Sequence, residues 1–123
     1  MNVVLWILQI VLGLFFVFHM TLLLRASPAR ARGTMRWMTE MPSGLRLFAA
    51  VAEGLAGLAL IFAPLVRDID YLAPMAAAGL VLLMLGAIVF HLRRREYPNI
   101  GLNTVLGVLA AVIAWGRFGP YRF

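Results

Sequence analysis

The chain has no cysteine and no lysine, and only 13% of its 123 residues are charged. Without cysteine there is no disulfide, no thiolate metal site and no dithiol redox chemistry within this chain. Any redox role must use a bound cofactor or a partner's groups. The shortage of charge, against roughly 25% in an ordinary soluble domain, goes with 63% hydrophobic residues and a mean hydropathy of +0.94. A single domain of this length has too little interior to hide so many apolar side chains, so the bilayer must be the solvent. The missing lysine means that all eleven basic residues are arginine; against five acids they leave a net charge of +6. These arginines lie in connectors between apolar runs, where they suit membrane topology and anionic lipid head groups rather than nucleic acid.

What is there is four apolar runs, at about 3–24, 45–63, 72–92 and 100–118. The first, Val3 to Leu24, is too long for the apolar core of a cleaved signal peptide and has no basic stretch before it. At 1.5 Å per residue it makes roughly 33 Å of helix, enough to cross the hydrocarbon core. We read it as a retained span. A connector at 25–43 follows, in which Ser27-Pro28 is a helix-start signal and Arg30, Arg32 and Arg36 alternate with Met35, Trp37, Met38 and Met41. That mixture suits a short interfacial segment with its apolar side in the membrane, or a plain loop anchored by a tryptophan. Ser43 can cap the second run and Pro64 ends it. The third run stops at Arg93-Arg94-Arg95, and a break at Tyr97-Pro98-Asn99 precedes the fourth. The expected fold is all-α, an integral membrane four-helix bundle running up-down-up-down. Arg25, Arg30, Arg32, Arg36, Arg46, Arg93, Arg94 and Arg95 fall on one side; Arg67, Arg117 and Arg122 fall on the other. The positive-inside rule then puts both termini on the non-cytoplasmic side of a bacterial-type inner membrane.

Helical spacing suggests which faces meet. Asn103, Gly107, Ala110, Ala114 and Arg117 form one stripe; Ala49, Glu53, Ala56 and Gly57 form another; Ala76, Gly79, Leu83 and Gly86, with Ala87 and His91 adjacent, form a third. Small stripes let helices approach closely in lipid. Glu53, His19, His91 and Asn103 all fall in the cytoplasmic half, and they are the candidate site for a quinone or another small ligand. A carboxylate in a span is a functional hypothesis by default, although Glu53 paired with Arg46 or a loop arginine would serve packing equally well. His91 beside the arginines suits an interfacial position, and His19 a donor to a nearby carbonyl. Arg117 is read as an outer-interface anchor, with Asp68 and Asp70 on the same side for ion pairing. Two histidines and one acid match only in depth, and no metal is assigned.

These residues carry a resemblance. Phe16-Val17-Phe18, Arg36-Trp37-Met38, Ala52-Glu53-Gly54, the run Leu83-Met84-Leu85-Gly86-Ala87 leading to His91-Leu92-Arg93-Arg94, and Ala114-Trp115-Gly116-Arg117-Phe118-Gly119 together resemble the DoxX-like family of small four-helix membrane proteins. The family is similar in architecture to the small subunit of a thiosulfate:quinone oxidoreductase. The resemblance therefore implies an accessory subunit of a quinone-linked membrane oxidoreductase system, or a scaffold or assembly factor for a partner membrane protein. Either role entails a membrane-protein partner or a homo-oligomer, and neither makes the chain an autonomous enzyme. By position, the family's recurrent polar residues fall on Glu53, His91 and Arg117. Where many members carry a glycine and then a lysine late in the first helix, this chain has Met20 and Leu23, with His19 nearby.

Overall fold

Each apolar run becomes one long helix in the computed structural model, which describes residues 1–25 and 37–123. These are α1 (Asn2–Leu24), α3 (Ser43–Phe62), α4 (Leu72–Arg93) and α5 (Tyr97–Phe118), with a single helical turn, α2 (Trp37–Glu40), after the connector. At 20 to 23 residues the four long helices span roughly 30 to 35 Å, the depth of a hydrocarbon core. All four are long and apolar enough to cross a membrane. No strand occurs among the described residues. Ser27-Pro28 and the arginines at 30, 32 and 36 lie outside the described residues.

The helices form a closed ring in the order α1, α3, α4, α5. The α1–α3 and α4–α5 seams are the tightest, and α3 meets α4 more loosely. The reason lies in the glycines. A Cβ on Gly13 would lie 2.8 Å from the carbonyl oxygen of Gly57, and a Cβ on Gly57 would lie 2.7 Å from that of Gly13. Backbone therefore touches backbone where α1 crosses α3. Met84 covers Gly107 between α4 and α5, and Leu5 covers Gly116 between α1 and α5. Leu12, Phe16, Leu60, Leu80, Met84, Leu106 and Ile113 fill the centre. Large apolar side chains such as Leu14, Phe18, Leu55, Leu82 and Val105 cover the outside. That much exposed apolar surface is stable only against lipid.

Four expectations change. Proline needs no backbone N–H donor in a helix's first turn, so Pro98 sits inside the start of α5 and the helix begins at Tyr97, not Ile100. The reversal falls earlier, at Arg94–Glu96. Pro42 rather than Ser43 is the N-cap of α3, and Ser43 makes no capping hydrogen bond. Trp37 and Met38 do not face lipid; both are buried against Leu23 and Ala50. Finally, the third stripe does not meet a helix along its length. The buried face of α4 is Ala73, Ala77, Leu80, Met84 and His91, while Gly79 and Gly86 are exposed, with nothing within 4 Å of where a Cβ would be.

Candidate functional site

The close α1–α3 crossing decides where the buried acid goes. Glu53 shares its face with Gly54 and Gly57, so it points at α1 and meets His19 there. His19 Nδ1 and Glu53 Oε2 lie 2.6 Å apart, within hydrogen-bond distance. Glu53 is 4% exposed. A lone carboxylate in lipid is expensive, and the hydrogen bond to His19 is what makes this position tolerable. The expected partner Arg46 is elsewhere: its guanidinium donates to the Met38 carbonyl at 2.9 Å and holds α2 in place.

At the end of α4 the chain reverses in a Schellman turn. Glu96 N–H donates to His91 O at 2.9 Å and Arg95 N–H donates to Leu92 O at 3.2 Å, with Arg95 left-handed at φ 59°. This closes the free carbonyls of α4 and folds the Glu96 side chain back beneath His91. His91 Nδ1 lies 2.9 Å from Glu96 Oε1, and Arg94 donates to the same oxygen at 2.9 Å. His91 is thus buried, 2% exposed, rather than interfacial. Burial pushes the Glu96 carboxyl up, but the hydrogen bonds from Arg94 and His91 outweigh it and hold the group below the usual carboxylate range. Arg94 is raised in turn by its bonds to Glu96 and then to Glu40, and its pair with Glu40 ties α2 to the reversal.

Trp37 stands between the two histidines. Its ring lies face to face with His19 at 6.0 Å and edge-on to His91 at 4.8 Å. Two cavities adjoin this cluster. One, of about 250 Å³, is lined by His19, Trp37, Phe48, Glu53, Phe90, His91 and Asn103. The other, of about 180 Å³, shares His19, Trp37, Glu53, His91 and Asn103. The amide nitrogen of Asn103 is buried and has no hydrogen-bond partner. The structure therefore gathers all four predicted site residues, His19, Glu53, His91 and Asn103, around the same two cavities.

Sequence reasoning missed Glu96 and gave Trp37 the wrong role. Glu96 follows an arginine block that reads as topology alone, yet it lies five residues beyond a histidine. Trp37 was read as a lipid anchor because its neighbours are basic. With Nδ1 of each histidine engaged by a carboxylate, each Nε2 is the nitrogen left to accept or give a proton. Among the described residues no three His, Asp or Glu side chains gather closely enough to hold a metal.

Arg117 belongs to a different cluster, at the opposite end. It is 3% exposed, so it is not an interface anchor. Its Nε donates to Gln9 Oε1 at 2.6 Å, and one terminal nitrogen donates to Asn2 Oδ1 at 2.6 Å and to the Tyr121 carbonyl at 2.9 Å. The ring of Phe123 lies 4.1 Å from the guanidinium carbon. Gln9 in turn donates to Leu60 O at 3.1 Å. Asp68 and Asp70 make no ion pair among the described residues, so the ion pairing expected with Arg117 is absent.

No curated protein and no solved structure matches the chain significantly. The model of the DoxX-like family matches residues 7–113, a stretch that contains His19, Glu53, His91 and Asn103 and stops just short of Arg117. Since that match takes in the greater part of all four spans, the chain belongs to the DoxX-like family and is a multi-pass membrane protein.

Proposed function

We propose that this protein is an accessory subunit of a quinone-linked membrane oxidoreductase system, with the quinone head seated among His19, Trp37, Glu53, His91 and Asn103. The observation that carries this reading is the unpartnered amide of Asn103 in a wall that also holds two carboxylate-backed imidazoles. A quinone head is flat, apolar on its faces and an acceptor at both ends. Its faces suit Trp37 and Phe90; its carbonyls suit the Asn103 amide and a histidine Nε2–H. The residues present fit it. A bound quinone supplies two-electron, two-proton redox chemistry. The chain's own part is to position the head, exclude water and exchange protons at His19 and His91 Nε2, the two imidazoles being held in orientation by Glu53 and Glu96. With no cysteine in this sequence, the electrons come from a partner. We place the Arg93–Arg95 end at the cytoplasmic face of a bacterial inner membrane, with anionic head groups around its arginines and both termini on the other side.

A scaffold or assembly role is the second reading, favoured by the exposed small residues of α4, which offer another helix a close approach. Quinone content and binding in detergent-purified protein separate the two, with wild type measured beside Glu53→Gln and His91→Ala. Quinone bound by wild type and lost in both folded variants supports the redox reading. No quinone in any of them, with Glu53→Gln merely less stable, leaves Glu53 a packing residue and puts the scaffold ahead.

A further inference from the structure

Gly13, Gly57, Gly107 and Gly116 each meet a neighbouring helix, but Gly79 meets nothing. A mid-helix glycine is less favourable than alanine, and here no helix contact offsets it. Gly79 lies instead in an open groove of about 780 Å³ between α3 and α4. Its floor is Ala52, Ala56, Ala59, Ala76 and Gly79, all residues with almost no side chain. The groove adjoins the polar site. Phe48, Leu82 and Leu83 line both it and the 250 Å³ cavity that holds Glu53, His91 and Asn103. From Phe48 to Ala59 the groove follows α3 over twelve residues, about 16 Å, away from the arginine-rich end. Its lining is almost wholly apolar.

A polar chamber with a buried unpartnered donor, adjoining an open apolar groove, suits an amphiphile with a compact head and a long tail. We infer that the α3–α4 groove is the tail site of the quinone proposed above, so that the protein selects a lipid quinone and admits it sideways from the bilayer. The inference rests on the redox reading for the identity of the head, and it adds a second subsite on different residues. Phospholipids do not suit it, because the chamber beside the groove holds no arginine among its lining residues to meet a phosphate.

The test compares dimethoxy-methylbenzoquinone with its decyl derivative, and menadione with a prenylated homologue, on purified protein at fixed detergent. The variants are Gly79→Leu and Ala56→Leu, which fill the groove, and Asn103→Leu, which alters the chamber; circular dichroism checks that each is folded. Because a Cβ at Gly79 lies in open space, Gly79→Leu is expected to retain the fold. Wild type is expected to bind the tailed quinones at least tenfold more tightly than the bare heads. Gly79→Leu should remove that preference and leave bare-head binding unchanged, whereas Asn103→Leu should weaken heads and tailed molecules together. Bare heads that bind equally to wild type and Gly79→Leu, with no tail preference in either, overturn the tail site and leave the head site standing. No binding of any quinone overturns both. Loss of a dimer in Gly79→Leu, with tail preference unchanged, makes the groove a helix interface and overturns the inference too.

Discussion

Glu53 of α3 lies 2.6 Å from His19 of α1, on the seam where Gly13 and Gly57 bring the two backbones into contact. Among the described residues neither group has another partner of opposite charge, so each depends on the other inside lipid. Glu53→Ala, which leaves the imidazole nitrogen unpaired, should cost about 1–3 kcal/mol. Glu53→Gln, which can still bond to it, should cost less. Replacing both residues by leucine should cost less than the sum of the single replacements. A double-mutant cycle of unfolding in detergent reads all of this directly, and strict additivity would count against the pair.

The glycines sort into two kinds, and substitution should tell them apart. Gly57→Leu must push a side chain into the backbone of α1 and should lower stability by about 1–3 kcal/mol or more. Gly79→Ala has open space and should be neutral, or stabilising by up to about 1 kcal/mol through helix propensity. Thermal melts of the two variants beside wild type check it.

Glu96 gives a pH signature. Its carboxyl is held below the ordinary range in the folded protein, so its contribution is complete above the unfolded carboxylate value, about 4.3. That contribution is lost as pH falls through the lower folded value. Stability of wild type should therefore drop below about pH 4 by more than that of Glu96→Gln, which has no charge to lose. Parallel acid titrations of the two proteins decide it.

Arg95 carries a left-handed backbone, φ 59°, at a helix-ending position where glycine is usual. Arg95→Gly should relieve strain of about 1 kcal/mol. The gain should show in unfolding rather than in ligand binding, since the turn itself is kept. A variant less stable than wild type would mean that the Arg95 side chain makes up for its backbone.

How much of this was legible follows from the range of the signals. The spans could be read because each needs only its own run length and a terminating arginine or proline. The reversal before α5 was misplaced because Pro98 is ambiguous in sequence: proline breaks a helix interior but fits a first turn. Helical spacing showed that Glu53 and the small residues share a face. It could not show that α1, rather than Arg46, lies opposite, because that choice depends on backbone contact between Gly13 and Gly57. Glu96 reaches His91 only through a Schellman turn whose key position is occupied by arginine, and nothing in the residue types announces that. The α4 stripe was detected correctly as a stripe, but spacing alone does not say whether a helix, a lipid or a ligand covers it.

The contact between Arg117 and Gln9 joins residues 108 positions apart, and it bears on how the protein is made. The tight α1–α3 and α4–α5 pairs can each assemble from what has already entered the membrane. The Arg117 contact cannot form until the last span arrives, because it draws together the first two turns of α1 and the end of α5. Until then a guanidinium and the Gln9 amide must be kept from lipid by something other than each other. Arg117 is thus among the last polar groups to be satisfied: a chain that has not closed its ring leaves this guanidinium, at the end of the last span, without Gln9 and Asn2.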